Sequence, residues 1–276
     1  LSIHNEFSPL KEVIVCPGTF VPEYETYHTD DPEHLKYHHH RWDKELLLRQ
    51  QDIFFEYLVS KNVKVHLPKT SSDLQQQMFT RDIGWVIRDT FYFAKKRKRK
   101  DRNGEVEAIL PIIESIPNSK THELTTGFIE GGDVLIDDGT ALIGLGSRST
   151  PEAAAELGEL EKVKTLLKGQ YVMHLETRCT LLPGGYALLY TKIFNKIDLE
   201  FLAKKFKLIP ITDEEAESLG SNVFVIDPET IVVESGHTRI ADELKARGFT
   251  VIQLDYSEPI HQGGSFRCTT LPLVRE

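Results

Sequence analysis

The chain has 276 residues, of which 40% are hydrophobic and 27% charged, and it carries a formal net charge of −9. This composition is that of an ordinary soluble globular protein, with length for one large domain or two small ones. No apolar run reaches the roughly 20 residues that a membrane-spanning helix needs, and the acidic balance speaks against a general nucleic-acid or membrane partner while suiting a cationic ligand.

Three cysteines, Cys16, Cys179 and Cys268, make an odd and unpaired set. They do not form a disulfide scaffold and suit a reducing cytoplasm, where a lone thiol is a candidate nucleophile. No signal-peptide pattern opens the sequence as given. It begins on Leu1 rather than Met, leaving room for a few preceding residues.

In chain order, a strand is predicted over 10–17, followed by an amphipathic helix over 43–60 with Leu46, Leu47, Phe54, Tyr57 and Leu58 at helical spacing. Apolar and β-branched residues flank turn formers in four hairpins. These lie over 84–94 around Arg88-Asp89, over 133–145 around Asp137-Asp138-Gly139, over 177–190 around Pro183-Gly184-Gly185, and over 222–234 around Asp227-Pro228-Glu229. Between them, helices are predicted over 151–167, with Thr150 as N-cap and Pro151 at the first position, over 198–206, and over 238–247 with Gly248 closing it. Cys268 opens a last apolar strand over 269–274.

A polar residue stands at or just before each hairpin: Asp82, Asp133, Glu176 and Asn222, with Cys268 in the same position before the last strand. They recur about every 45 residues, the spacing of repeated supersecondary units or propeller-like blades. With helices between the hairpins, the blades are mixed α/β. If equivalent strand starts converge on one axis, these five side chains meet in one central site.

Singly, the chemical candidates are unspecific. Cys268 follows the pair Gly263-Gly264, which permits unusual dihedrals or close approach, yet a buried thiol in a strand is the commoner case. His174 stands two residues before Glu176, on one face if the segment is a strand. Glu130 and Asp133 bracket Gly131-Gly132, as a simple turn would.

Together, Phe79-Thr80-Arg81-Asp82, Ile129-Glu130-Gly131-Gly132-Asp133, Met173-His174-Leu175-Glu176 and Gly263-Gly264-Ser265-Phe266-Arg267-Cys268 resemble the guanidino-group-modifying enzymes. That superfamily comprises arginine deiminases, dimethylarginine dimethylaminohydrolases and amidinotransferases. The resemblance spans nearly the whole chain and implies a single catalytic domain over 1–276 with the α/β pentein fold: five ββαβ-type modules about a pseudo-fivefold axis. It implies Cys268 as nucleophile, His174 as general acid and base, Glu130 as the residue orienting His174, and Asp82, Glu176, Asp133 and Arg148 on the substrate side, with no cofactor and no metal. The implied partner is a small cationic guanidine such as arginine or a methylated arginine, with a homo-oligomer possible. The implied reaction is hydrolysis through a covalent thiouronium. Transfer of the amidino group to an amine is the alternative, and a non-catalytic binding protein of the same fold is the alternative of another class. One departure stands out, since relatives usually carry Asp at position 176.

Other features lie apart from this pattern. Lys95-Lys96-Arg97-Lys98-Arg99-Lys100 reads as a solvated loop; in relatives a loop here can supply a second Arg for the substrate carboxylate, so the resemblance makes Arg97, Arg99 or Arg102 a candidate, with no choice among them. His28, His34, His38, His39 and His40 invite a metal reading, but no Cys or paired acid completes a site at usual spacing. His261 is the rival general base, and His237 reads as a capping or surface residue.

Overall fold

Five three-stranded sheets repeat one pattern in the computed structural model, which describes residues 1–26, 40–95, 102, 104–169 and 172–276. One sheet comprises β3 (Gly84–Ile87), β4 (Thr90–Phe93) and β5 (Lys120–Glu123). The next comprises β6 (Val134–Asp137), β7 (Thr140–Leu145) and β8 (Lys162–Leu167). Then come β9 (Cys179–Leu182), β10 (Tyr186–Leu189) and β11 (Lys207–Pro210), followed by β12 (Phe224–Val225), β13 (Thr230–Glu234) and β14 (Thr250–Leu254). In each, the first two strands form an antiparallel hairpin and the third lies parallel to the second. A parallel neighbour requires a crossover, and a helix supplies it each time.

The connecting helices are α2 (Glu105–Ser115), α3 (Pro151–Leu160), α4 (Lys196–Lys205) and α6 (Thr238–Lys245). The fifth sheet joins distant parts of the chain. β15 (Leu271–Arg275) pairs antiparallel with β1 (Leu10–Ile14), which pairs parallel with β2 (Lys64–His66) across α1 (Lys44–Ser60). Short helices α5 (Asp213–Glu217) and α7 (Ser257–His261) complete the set. Five ββαβ modules, one of them completed by the C-terminal strand, match the expected architecture.

Burial sorts the strands. The first strand of each hairpin is wholly buried in β3, β6, β9 and β12 and nearly so in β15, whereas the third strands β2, β5, β8, β11 and β14 are mostly half-buried or exposed. First strands therefore line the interior and third strands form the rim. Separate apolar clusters fill the spaces between modules, for example Trp85, Phe91, Ile136 and Leu273 in one and Phe54, Phe224, Tyr256 and Phe266 in another. Residues just ahead of the first strands consequently face one another at the centre.

Three predicted elements are corrected. The helix expected over 151–167 ends at Leu160, and residues 162–167 are β8. Pairing with β7 along six residues outweighs a helical preference that periodicity had extended too far. The last strand starts at Leu271, and Cys268 lies in a turn before it, where Thr269 and Thr270 N–H donate to Ser265 and Arg267 carbonyls. His174 and Glu176 do not share a strand face: His174 is extended and Glu176 belongs to a single 3-10 turn, Leu175–Thr177.

Candidate active site

Equivalent short turns carry the predicted site residues. Asp82 lies in the 3-10 turn Thr80–Ile83, Asp133 in Gly131–Asp133 and Glu176 in Leu175–Thr177, each immediately ahead of a first strand or one residue from it. The glycine pairs permit the close approach of these turns. A Cβ on Gly132 would stand 2.6 Å from the His174 ring, and one on Gly264 would stand 2.3 Å from the Phe79 ring and 2.9 Å from Cys268 Cβ.

His174 sits between two acids. Its Nε2 hydrogen-bonds Glu130 Oε2 at 2.8 Å, and its Nδ1 lies 3.4 Å from Asp82 Oδ1. All three side chains are buried. Burial opposes an imidazolium here, but Asp82, the Glu130 hydrogen bond and Asp133 outweigh it and raise the His174 pKa. Burial likewise opposes ionised Glu130, yet the hydrogen bond from His174 and the charge of Arg148 hold its carboxyl well below the usual range.

Asp82, His174 and Glu176 each offer a polar atom within 4.8 Å of the others, the one such cluster of three among the described residues. Glu176 is wholly buried, and neither of its oxygens accepts a full hydrogen bond from an N–H group, while the Cys268 thiol hydrogen-bonds to it. Arg267 Nε and Arg81 Nε approach Oε2 only to 3.4 and 3.5 Å. Burial pushes this carboxyl above the usual range, against the pull of Arg81 and Arg267. Both guanidinium contacts are long for hydrogen bonds, so this carboxylate keeps acceptor capacity for closer N–H donors.

Cys268 closes the site. Burial, then the negative charges of Glu176 and Asp82, push its thiol well up. The Asn222 side chain fixes the turn: Oδ1 accepts from Arg267 N–H at 3.0 Å and Cys268 N–H at 3.4 Å, and lies 3.6 Å from Cys268 Sγ. The other two thiols are also buried, and burial drives each up to about 12.

The remaining candidates divide. Arg148 is buried with Nη1 3.3 Å from Glu130 Oε2, and Thr150 caps α3 as expected. Arg102 is buried too, with Nη1 2.6 Å from Asp82 Oδ2 and Nε 2.9 Å from Glu105 Oε1. Asp133 turns inward: Oδ1 accepts from Leu175 N–H at 2.8 Å and Oδ2 from Ser149 Oγ at 2.6 Å, while Lys168 Nζ pairs with it at 2.8 Å. His261 stacks on His40 with ring centroids 5.1 Å apart and lies 3.6 Å from Glu258. His237 precedes α6 without capping it, and its Nε2 hydrogen-bonds Ser218 O at 3.0 Å. His28, His34, His38, His39, Arg97, Arg99 and the rest of the basic run after Lys95 lie outside the described residues. Sequence reasoning missed Lys168, Glu6 and the part played by Arg267. Adjacency to Cys268 signalled the last; nothing local signalled the other two.

The chain has counterparts among known proteins. Residues 16–275 match the family described as N,N dimethylarginine dimethylhydrolase, eukaryotic. The chain belongs to that family. The uncharacterized protein YkgA of Bacillus subtilis is 32% identical over 280 residues, covering 98% of this chain and 94% of YkgA. An N(G),N(G)-dimethylarginine dimethylaminohydrolase of Mycobacterium tuberculosis is 28% identical, covering 76% of this chain and 70% of its own length. Among solved structures, SxtG, an amidinotransferase from Microseira wollei, superposes with a TM-score of 0.86 at 16% identity, covering 100% of this chain and 97% of its own. The chain thus shares its fold with SxtG, and with the family match its five modules are those of the pentein fold of the guanidino-modifying superfamily. Among the described residues, no helix is long and apolar enough to cross a membrane.

Proposed function

We propose that the chain is a cysteine-dependent hydrolase of a small guanidine, of the arginine or methylated-arginine kind. The single observation carrying this reading is the buried Glu176 carboxylate, held only by long contacts to Arg267 and Arg81, beside Asp82 and the Cys268 thiol. A guanidinium is a planar cation whose N–H groups match carboxylates. It supplies closer N–H donors than Arg267 and Arg81 give Glu176. Its charge also reverses the field of Glu176 and Asp82, which in the free protein keeps Cys268 protonated.

In this reading the bound cation lets the Cys268 thiol release its proton to solvent, the thiolate attacks the central carbon, and as the C–N bond breaks the amine leaves with a proton from His174. Water then loses a proton to His174 and adds to the thiouronium carbon. The C–S bond breaks, the new hydroxyl passes its proton to the departing sulfur, and a ureido product and the thiol are released. Glu130 holds His174 in its charged form for the first step. Arg148 and Arg102, the two buried arginines on Glu130 and Asp82, are the proposed contacts for a substrate carboxylate. Asp133 acts indirectly by anchoring the turn that carries Glu176.

The test incubates purified protein with arginine, methylarginines and agmatine and measures ureido product and released amine. Ureido product from one of them, lost in Cys268→Ala, is expected. Folded protein giving no product from any guanidine would exclude the proposal. Adding glycine or ornithine and finding a new guanidine by mass spectrometry would replace water by an amine as the acceptor.

A further inference from the structure

Behind the guanidine cage lies a second buried charge system. Glu6, in the segment ahead of β1, is buried. Its Oε2 pairs with Arg267 Nη2 at 3.0 Å, and its Oε1 accepts from Ile136 N–H at 3.0 Å. Arg267 is wholly buried, and its Nε faces Glu176 Oε2 at 3.4 Å without forming a hydrogen bond, while its Nη1 has no partner. Arg81 approaches the same Glu176 oxygen and is steered by Nε to the Arg267 carbonyl at 3.4 Å. The order is therefore Glu6, Arg267, Glu176, with an internal guanidinium between two carboxylates and tightly bonded only to the remote one.

We propose that Glu6 is a positioning residue that restrains Arg267, so that this internal guanidinium does not close on Glu176 and take the acceptor sites the substrate guanidinium needs. Arg267 carries the same planar fork as the substrate, and a free carboxylate favours a bidentate pair with it. The hydrogen bond from Ile136 and the pairing with Arg267 hold Glu6 fixed from two sides. This inference rests on the guanidine reading of the site.

The test is Glu6→Gln. With a guanidine substrate, KM is expected to rise about tenfold while kcat stays within about twofold, because a charge-assisted pair now competes with binding. In an Arg267→Lys background the same change is expected to raise KM by less than about threefold, since an ammonium lacks the paired geometry. An unchanged KM in folded Glu6→Gln protein, or an equal rise in both backgrounds, overturns the proposal. If Glu6→Gln does not fold, Glu6→Asp gives the same comparison, with an intermediate KM rise expected and an unchanged KM overturning it. A second readout needs no substrate. Glu6→Gln is expected to speed iodoacetamide alkylation of Cys268 about threefold at neutral pH, because Arg267 then neutralises Glu176 beside the thiol. An unchanged alkylation rate overturns the restraint even if no guanidine is turned over. A faster rate with no turnover upholds it while removing the substrate assignment.

Discussion

Asn222 ties Cys268 to Glu176. Its Oδ1 accepts from the Cys268 N–H at 3.4 Å, and its Nδ2 donates to the Glu176 carbonyl at 3.0 Å. One amide therefore sets the distance between the thiol and the carboxylate of the proposed cage, across 46 residues in either direction. Asn222→Ala leaves these buried groups unpaired. It is expected to cost about 1–3 kcal/mol of stability and to lower kcat/KM tenfold or more, on the scale of about a 1 Å misplacement. Thermal unfolding and steady-state kinetics on the folded protein measure the two effects separately.

The acids around Cys268 predict a charge preference in its labelling. A cationic haloacetamidine is expected to alkylate the thiol faster at neutral pH than neutral iodoacetamide does, relative to each reagent's rate with a free thiol. Glu176→Gln removes one of the charges that raise the thiol pKa, and is expected to shrink this preference by about tenfold. Equal preference in both proteins would contradict the electrostatic role given to Glu176.

Paired titration of Glu130 and His174 sets a pH window. Glu130 is depressed from 4.5, so its contribution to stability is present above about that pH and is lost as pH falls through its lower folded value. His174 is raised from 6.5, so its contribution is full below about that pH and is lost as pH rises through its higher folded value. The difference in Tm between the wild type and Glu130→Gln is therefore expected to peak between about pH 4.5 and 6.5 and to shrink on both sides. A scan of Tm across pH 3 to 9 reads this directly.

Replacing Glu176 by Asp shortens the side chain by one methylene and draws its carboxylate away from Arg267 and Arg81. The wider cage is expected to favour N-substituted guanidines over unsubstituted ones by about tenfold relative to wild type, within the range a methylene-sized pocket change produces. Competition between arginine and a methylarginine, followed by product analysis, gives that ratio.

Lys168 and Asp133 form a pair with both side chains wholly buried at 2.8 Å. Lys168→Met strands the carboxylate that anchors Leu175 and Ser149. The expected loss is about 3–5 kcal/mol, the scale for breaking a buried ion pair from one side. Denaturant unfolding measures it.

Much of this architecture was legible in the residues. Hairpins alternate apolar stretches with turn formers, so the sequence sets strands at 84–87, 134–137 and 179–182 through local backbone preference and period-two patterning alone. The recurrence of Asp82, Asp133, Glu176, Asn222 and Cys268 foretold which segments meet, because equivalent modules place equivalent positions on one axis. What local pattern does not encode, the packing decided. Residues 162–167 became β8 because β7 offered a parallel edge. Asp133 turned inward because Lys168 and Ser149 lie there, and Glu6 reached Arg267 from 261 positions away. Buried charge finds its counter-charge through space, where burial makes pairing decisive, so the place of Cys268 ahead of the last strand was written along the chain and its electrostatic surroundings were fixed only when the five modules closed.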